Sequence, residues 1–217
     1  KSTDKSTEKI HDSNIEKPSL LSNIVRSIEV LDESTIWLGT INGVNSINIL
    51  TGEVTSYQSA LHKNALSFNW IFKIYKDNTD KLWLGTNGGG INTFNALQLK
   101  VTHGLFNYND SKTTVYSFAE TSDGTIWFTT DDNQLSNIDK KGNISHIKTV
   151  NSTPFSHLVL DDEDNLWLKT QSKNIDKLGS LYYYQTNNNT LTKKIILTKE
   201  SGFPNIDKLL FLKKILI

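Results

Sequence analysis

The sequence has no cysteine and no methionine. Without cysteine, disulfide staples and thiolate metal sites are excluded, although the absence fixes no compartment. Without methionine even at position 1, a chain that begins KSTDKSTEK reads as a processed product or an excised fragment. An excess of charge of one sign is missing too. The 23 basic residues are matched by 23 acidic ones, and no run of Lys or Arg interleaved with aromatics offers a phosphate-binding surface, so nucleic acid is not an expected partner. No apolar stretch approaches a membrane span, and nothing near the N-terminus has the apolar core of a signal peptide. Any targeting signal or anchor is therefore expected outside these 217 residues.

Motifs of catalysis are also missing. HExxH, GxSxG, a P-loop and the Rossmann fingerprint do not occur. His11, His62, His103, His146 and His157 share no ligand-type spacing. The acidic pairs and clusters, Asp131–Asp132 and Asp161–Asp164, lack the glycine and closing glutamate of a calcium loop. Asp161, Asp162 and Asp164 fall in a turn equivalent to Asp77–Asp80, where turn formation accounts for them. The three glycines Gly88–Gly90 follow a strand but open no helix, so they form a turn and not a phosphate cradle. No cofactor, no metal and no enzymatic activity are expected.

What is present is recurrence. The stretch IYKDNTDKLWLGTNGGGINTFN, Ile74 to Asn95, places Trp83 in LWLGT, and Trp37 (IWLGT), Trp127 (IWFTT) and Trp167 (LWLKT) repeat it at spacings of 46, 44 and 40 residues. Nine residues before each Trp stands Ile28, Ile74, Phe118 or Leu158. Three after it stands Thr40, Thr86, Thr130 or Thr170. Eight residues after it, or seven in the first copy, comes Val44, Ile91, Leu135 or Ile175, and three further on Ile47, Phe94, Ile138 or Leu178. Agreement of this kind at a period of about 40–50 residues is the signature of blade-type repeats.

Each copy reads as four short strands bounded by turn residues, with no long helical period. The first three copies give Val25–Leu31, Ile36–Thr40, Val44–Ile49 and Glu53–Tyr57; then Ile71–Lys76, Leu82–Gly85, Ile91–Asn95 and Leu99–His103; then Val115–Glu120, Ile126–Thr130, Leu135–Asp139 and Ile144–Thr149. The fourth gives Phe155–Leu160, Leu166–Thr170, Ile175–Leu178, and a last strand at either Leu181–Gln185 or Leu191–Leu197. Apolar residues on both faces of several strands suit sheets covered on both sides. The expected fold is an all-β propeller of four consecutive four-stranded blades, at about residues 19–60, 61–107, 108–150 and 151–200, with a polar linker or frayed end at 1–18. With Leu209 in the place of Ile74, the next Trp would fall at 218, one past the end. Residues 201–217 are thus expected to begin a fifth blade of a larger ring, Leu210 and Phe211 being alternative anchors. Open end faces of such an arc favour association, a homodimer among the outcomes.

The repeated tryptophans are expected to fill the space between neighbouring sheets, and the repeated threonines to bond to backbone. Trp70 stands outside the repeat, where the other copies have Ile24, Thr114 and Pro154. The loops that lead into each first strand and those that join the second strand to the third share one rim, and ligands of propellers favour such a rim. On this chain they carry Arg26, Asn69, Trp70, Asn87, Tyr116, Asp131 and His157, the candidate ligand-binding residues, with Asn23, Asn42, Asp132 and Asn174 nearby. An aromatic, amides and few charges suit a glycan or another small polar ligand, Trp70 stacking on it; ordinary solvated loop residues are the alternative.

The string D-x-x-x-x-LWLGT-x-x-GG-[IL]-x-x-[FY]-[ND], realised from Asp77 to Asn95, resembles the two-component regulator propeller repeat. The turns SLLSN (Ser19–Asn23) and ALSFN (Ala65–Asn69) are similar to the blade boundary of the same family. The resemblance spans about residues 19–179. Thr129 replaces the glycine of LWLGT in the third copy and Lys169 in the fourth, where the glycine turn is QSKN. The resemblance implies a non-catalytic sensing or interaction module in the periplasmic or extracytoplasmic region of a bacterial hybrid histidine kinase or diguanylate cyclase. Its partners would be the remaining blades and the signalling domains of the longer protein. Copy three, with DGTIWFTT, also resembles the virginiamycin B lyase family, whose glutamate is replaced here by Thr130; a lyase and a generic interaction propeller are the alternative functions.

Overall fold

The structure, a computed structural model, describes residues 19–61, 65–95, 100–103, 113–148, 153–171 and 177–198. The expected linker at 1–18 and the expected fifth blade at 201–217 lie outside the described residues. Among the described residues, sixteen strands form four antiparallel sheets of four, each in chain order. Blade 1 holds β1 (Val25–Val30), β2 (Thr35–Thr40), β3 (Gly43–Asn48) and β4 (Val54–Tyr57). Blade 2 holds β5 (Ile71–Lys76), β6 (Lys81–Thr86), β7 (Ile91–Asn95) and β8 (Lys100–His103). Blade 3 holds β9 (Val115–Glu120), β10 (Ile126–Thr130), β11 (Gln134–Ile138) and β12 (Ile144–Lys148). Blade 4 holds β13 (Phe155–Leu160), β14 (Leu166–Thr170), β15 (Lys177–Gln185) and β16 (Thr190–Thr198).

The turn between the first and second strands shows why the sequence breaks where it does. Asp77 Oδ1 accepts the N–H groups of Thr79 and Lys81, and Asp161 Oδ1 those of Glu163 and Asn165. The same left-handed turn position falls on Asp80 (φ 61°), Gly124 (φ 79°) and Asp164 (φ 60°), residue types that tolerate it. The repeated threonine closes the next turn: the hydroxyls of Thr40 and Thr86 donate to the carbonyls of Gly43 and Gly90 at 2.9 Å.

Three apolar cores lie between the blades. Trp37 packs with Ile71, Ile74, Leu82, Leu84 and Phe94 of blade 2. Trp83 packs with Val115, Phe118 and Phe128 of blade 3, and Trp127 with Phe155, Leu158, Leu166 and Tyr184 of blade 4. Each Trp therefore reaches forward onto the next blade, as expected of an inter-sheet filler. Trp167, which has no described blade ahead of it, is only half-buried and tilts against Tyr183 at 4.8 Å.

The glycine of LWLGT is explained by the same approach of sheets. A Cβ on Gly85 would come within 2.7 Å of the Val115 carbonyl oxygen of the next blade's first strand. Polar ties reinforce the stacking: Ser27 Oγ accepts the N–H of Ile74 at 3.0 Å, and Ser117 Oγ that of Leu158 at 3.2 Å.

Blade 4 departs from the expected alignment. Its third strand runs from Lys177 to Gln185 as one nine-residue element, so Leu181–Gln185 is part of that strand and the fourth strand is Thr190–Thr198. Pairing identifies the slip. Gly85 faces Ile91 and Leu82 faces Phe94 in blade 2, whereas Lys169 faces Leu181 and Leu166 faces Tyr184 in blade 4. The counterparts of Ile91 and Phe94 are thus Leu181 and Tyr184, six residues beyond Ile175 and Leu178. Leu181 and Tyr184 are the pair that is buried, at 3% and 0% exposure, and burial decides the register. Ile175 lies outside the described residues.

Candidate functional site

Every first strand carries an irregularity at the same place. The register against its partner skips between Val25 and Ser27, between Ile71 and Lys73, between the partners Val115 and Ser117, and between Phe155 and His157. A bulge of this kind leaves one residue outside the ladder and re-aims its side chain. The four residues so re-aimed are Arg26, Phe72, Tyr116 and Ser156. The apolar spacing requires it: Ile71 and Ile74, Val115 and Phe118, Phe155 and Leu158 are all buried at 0–4% exposure, yet lie three apart, and strict alternation would put them on opposite faces.

Because the first strands of successive blades lie side by side, the bulged residues form a strip across the arc. The Arg26 guanidinium sits 5.4 Å from the Phe72 ring centre and 5.9 Å from that of Trp70. Trp70 stacks on Phe72 at 6.0 Å, and Phe72 meets Tyr116 edge-on at 5.1 Å. Burial pushes the Tyr116 phenol above its ordinary pKa, against the opposing effect of its hydrogen bond with the Gln171 side chain. The Trp70 indole nitrogen is enclosed and has no hydrogen-bond acceptor among the described residues.

The loops between second and third strands close over the segment before the first strand of their own blade. Asn87 N–H donates to the Trp70 carbonyl at 2.9 Å, Asp131 N–H to that of Thr114 at 3.1 Å, and Gln171 N–H to that of Pro154 at 2.9 Å. Asn87 Oδ1 accepts the Thr114 hydroxyl at 3.2 Å, and Asp131 Oδ1 accepts the Thr114 N–H at 3.0 Å. Of the residues named from sequence, Arg26, Trp70 and Tyr116 are thus brought into one cluster, with Asn87 and Asp131 beside it as loop fasteners. His157 lies in the first strand of blade 4, its Nδ1 2.9 Å from Ser156 Oγ. Asn69 is turned to another task, its Oδ1 accepting the Ser59 N–H at 2.6 Å. Sequence reasoning missed Phe72, Thr114 and Gln171; the three-residue apolar spacing was the signal that would have found Phe72.

Two further polar residues missed at that stage are structural. Asn45 and Asn92, both fully buried, accept the N–H of Leu21 and Ser67 and so pin SLLSN and ALSFN to the third strands. On the other rim the Asp turns link blade to blade, Asn78 N–H donating to Glu120 and Ser122 N–H to Asp164. Among the described residues no group of three or more His, Asp or Glu could hold a metal ion. The strip offers one cation, aromatic surface and a phenol, with amides beside it.

The family described as two component regulator propeller matches residues 65–88 and 110–132. No curated protein matches the chain. Among solved structures, the extracellular domain of the hybrid two-component system BT4673 from B. thetaiotaomicron is 23% identical with a TM-score of 0.67, over 82% of this chain and 23% of that one. The corresponding domain of BT3049 from the same organism is 24% identical with a TM-score of 0.65, over 88% and 24%. A catalytically inactive virginiamycin B lyase from Staphylococcus aureus is 21% identical with a TM-score of 0.63, over 82% and 57%. The chain therefore spans about a quarter of the extracellular domains it matches and just over half of the lyase, and likeness at this identity establishes the fold: an all-β arc of propeller blades. Two stretches of the chain, in blades 2 and 3, match the two component regulator propeller family.

Proposed function

We propose that the chain is a non-catalytic section of the extracytoplasmic sensor region of a bacterial signal-transduction regulator, and that its bulge strip contacts a neutral polar ligand such as a glycan. The observation that carries this reading is the alignment of Arg26, Trp70, Phe72 and Tyr116 across three blades, maintained by a bulge repeated in all four. A bulge costs ladder hydrogen bonds, and here it turns a cation and two aromatics out of the sheet toward one surface. The matched family repeats and the extracellular domains of the same fold in hybrid two-component systems support the sensing role and its location.

The remaining partners follow from the first blade. Ile28 is 61% exposed, whereas its counterpart Ile74 is fully buried against blade 1. A further blade of the longer protein is the partner whose surface fits that face; a second copy of the chain is the alternative. A lyase reading shares the fold and draws on IWFTT, and it is the alternative function. Calorimetry or a glycan array on the complete sensor region, parent against Trp70→Ala and Arg26→Ala, tests the sensing site. Loss of binding in folded variants is the expected result. Unchanged affinity would remove the strip from the site, and failure of the parent to bind any saccharide would shift the role to a protein partner.

A further inference from the structure

A cavity lies away from the bulge strip, lined by blade 1 and by Phe94 of blade 2. Its volume is about 260 Å³, and Leu31, Trp37 and Phe94 are among the residues that line it. That volume is near the lower end of the ~300–1,000 Å³ typical of small-molecule sites. Beside the cavity, blade 1 differs from blade 2 in how its repeated Trp is bonded. In blade 2 the Trp83 indole N–H donates to Asp77 Oδ2 at 2.8 Å. The residue that corresponds to Asp77 in blade 1, six before the Trp, is Leu31. Trp37, only 2% exposed, is left with an indole N–H that has no acceptor among the described residues. A buried donor without an acceptor costs about 1–3 kcal/mol, so a ligand oxygen placed there recovers what Asp77 supplies in the neighbouring blade.

The wall of the cavity states which oxygen. Thr35, Ser46 and Thr55 bring hydroxyls, and Glu53 brings the one carboxylate. Asn48 Oδ1 already accepts the N–H groups of Leu50 and Thr51, which leaves its amide NH₂ as a donor. Tyr57 stacks on Trp37 at 5.2 Å and gives the cavity an aromatic side. Among the described residues no Lys or Arg lines it, so an anion would meet Glu53 unopposed, while a simple cation would leave the Trp37 N–H unanswered. Groups that both donate and accept answer both ends, and hydroxyls do so.

We infer that the groove between blades 1 and 2 is a binding site for one neutral polyhydroxylated ring, a sugar unit, with an oxygen on the Trp37 indole N–H and a hydroxyl on the Glu53 carboxylate. The inference takes its ligand class in common with the sensing reading but places the contact on different residues. Tyr57, half-buried over Trp37, is the side chain that yields to admit the ring.

The test uses the 217-residue chain with ¹⁵N-labelled tryptophan, whose five indole N–H signals can be followed separately. Trp37→Phe identifies the Trp37 signal. Titration with glucose and with N-acetylglucosamine is expected to shift that signal and leave the Trp127 and Trp167 signals in place. Leu31→Asp supplies an internal acceptor; it is expected to move the Trp37 signal without ligand and to weaken sugar binding at least ~10-fold. Glu53→Gln, at an exposed position, is expected to keep the fold and weaken binding about fivefold. Trp70→Ala is expected to leave this titration unchanged, so failure of the bulge-strip site and failure of this one are distinguishable. A Trp37 signal unmoved by sugar at about 100 mM, where a Kd of order 10 mM would still be seen, overturns the proposal and leaves the cavity to water. So does a sugar response that Glu53→Gln and Leu31→Asp both retain.

Discussion

Replacing Asp77 by alanine tests the hydrogen-bonding logic of the blade most directly. Asp77 is 7% exposed and accepts four donors: Thr79 N–H at 2.9 Å, Thr79 Oγ1 at 2.7 Å, Lys81 N–H at 3.0 Å and Trp83 Nε1 at 2.8 Å. Burial by itself would raise its pKa, and these donors outweigh burial, so the folded value lies below the ordinary one. In Asp77→Ala the turn amides and the threonine hydroxyl regain water, but the Trp83 N–H, on a side chain 5% exposed, does not. Hydrogen bonds to a charged acceptor contribute ~1.5–3 kcal/mol, and a stranded buried donor costs ~1–3 kcal/mol, so the variant should lose ~3–4 kcal/mol. Urea unfolding followed by circular dichroism measures the loss. The pH dependence has a definite sign. A carboxylate whose folded pKa is depressed contributes fully above its unfolded value, about 3.9, and loses that contribution as pH falls through the folded value. The gap between parent and variant should therefore be constant at neutral pH and close below about pH 3.9. A loss no larger than that of an exposed turn substitution such as Glu33→Ala, within ~0.5 kcal/mol, would refute the reasoning.

Other outcomes follow from the same contacts. Trp127→Ala should cost ~3–5 kcal/mol, whereas Trp167→Ala, at a half-buried ring, should cost clearly less, as measured by the same denaturation. Ile74→Ala should cost ~2–5 kcal/mol and Ile28→Ala under ~1 kcal/mol, because only Ile74 is covered by a neighbouring blade. Ile28→Lys should reduce any self-association of the chain, read by size-exclusion chromatography with light scattering. Gly85→Ala should cost ~1–3 kcal/mol by forcing blades 2 and 3 apart, and an unchanged unfolding midpoint would show that the sheets do not meet there.

The sequence by itself determined the repeat and its chemistry. Trp, Thr and the turn aspartates recur because every blade faces the same local problem: a tight turn must be bonded and a gap between sheets filled. Such demands are local, and spacing reveals them. Blade 4 shows the limit, since an ungapped count placed Ile175 and Leu178 where pairing and burial put Leu181 and Tyr184. Only the tertiary structure decided which side chains meet across blades. Arg26, Phe72 and Tyr116 stand 44 to 46 residues apart in sequence, and their encounter depends on a bulge repeated in successive strands. The orphaned Trp37 N–H likewise becomes visible only when Leu31 is seen to stand where Asp77 stands in the next blade. A contact between blades is set by the stacking of whole sheets, a long-range arrangement that no single strand encodes.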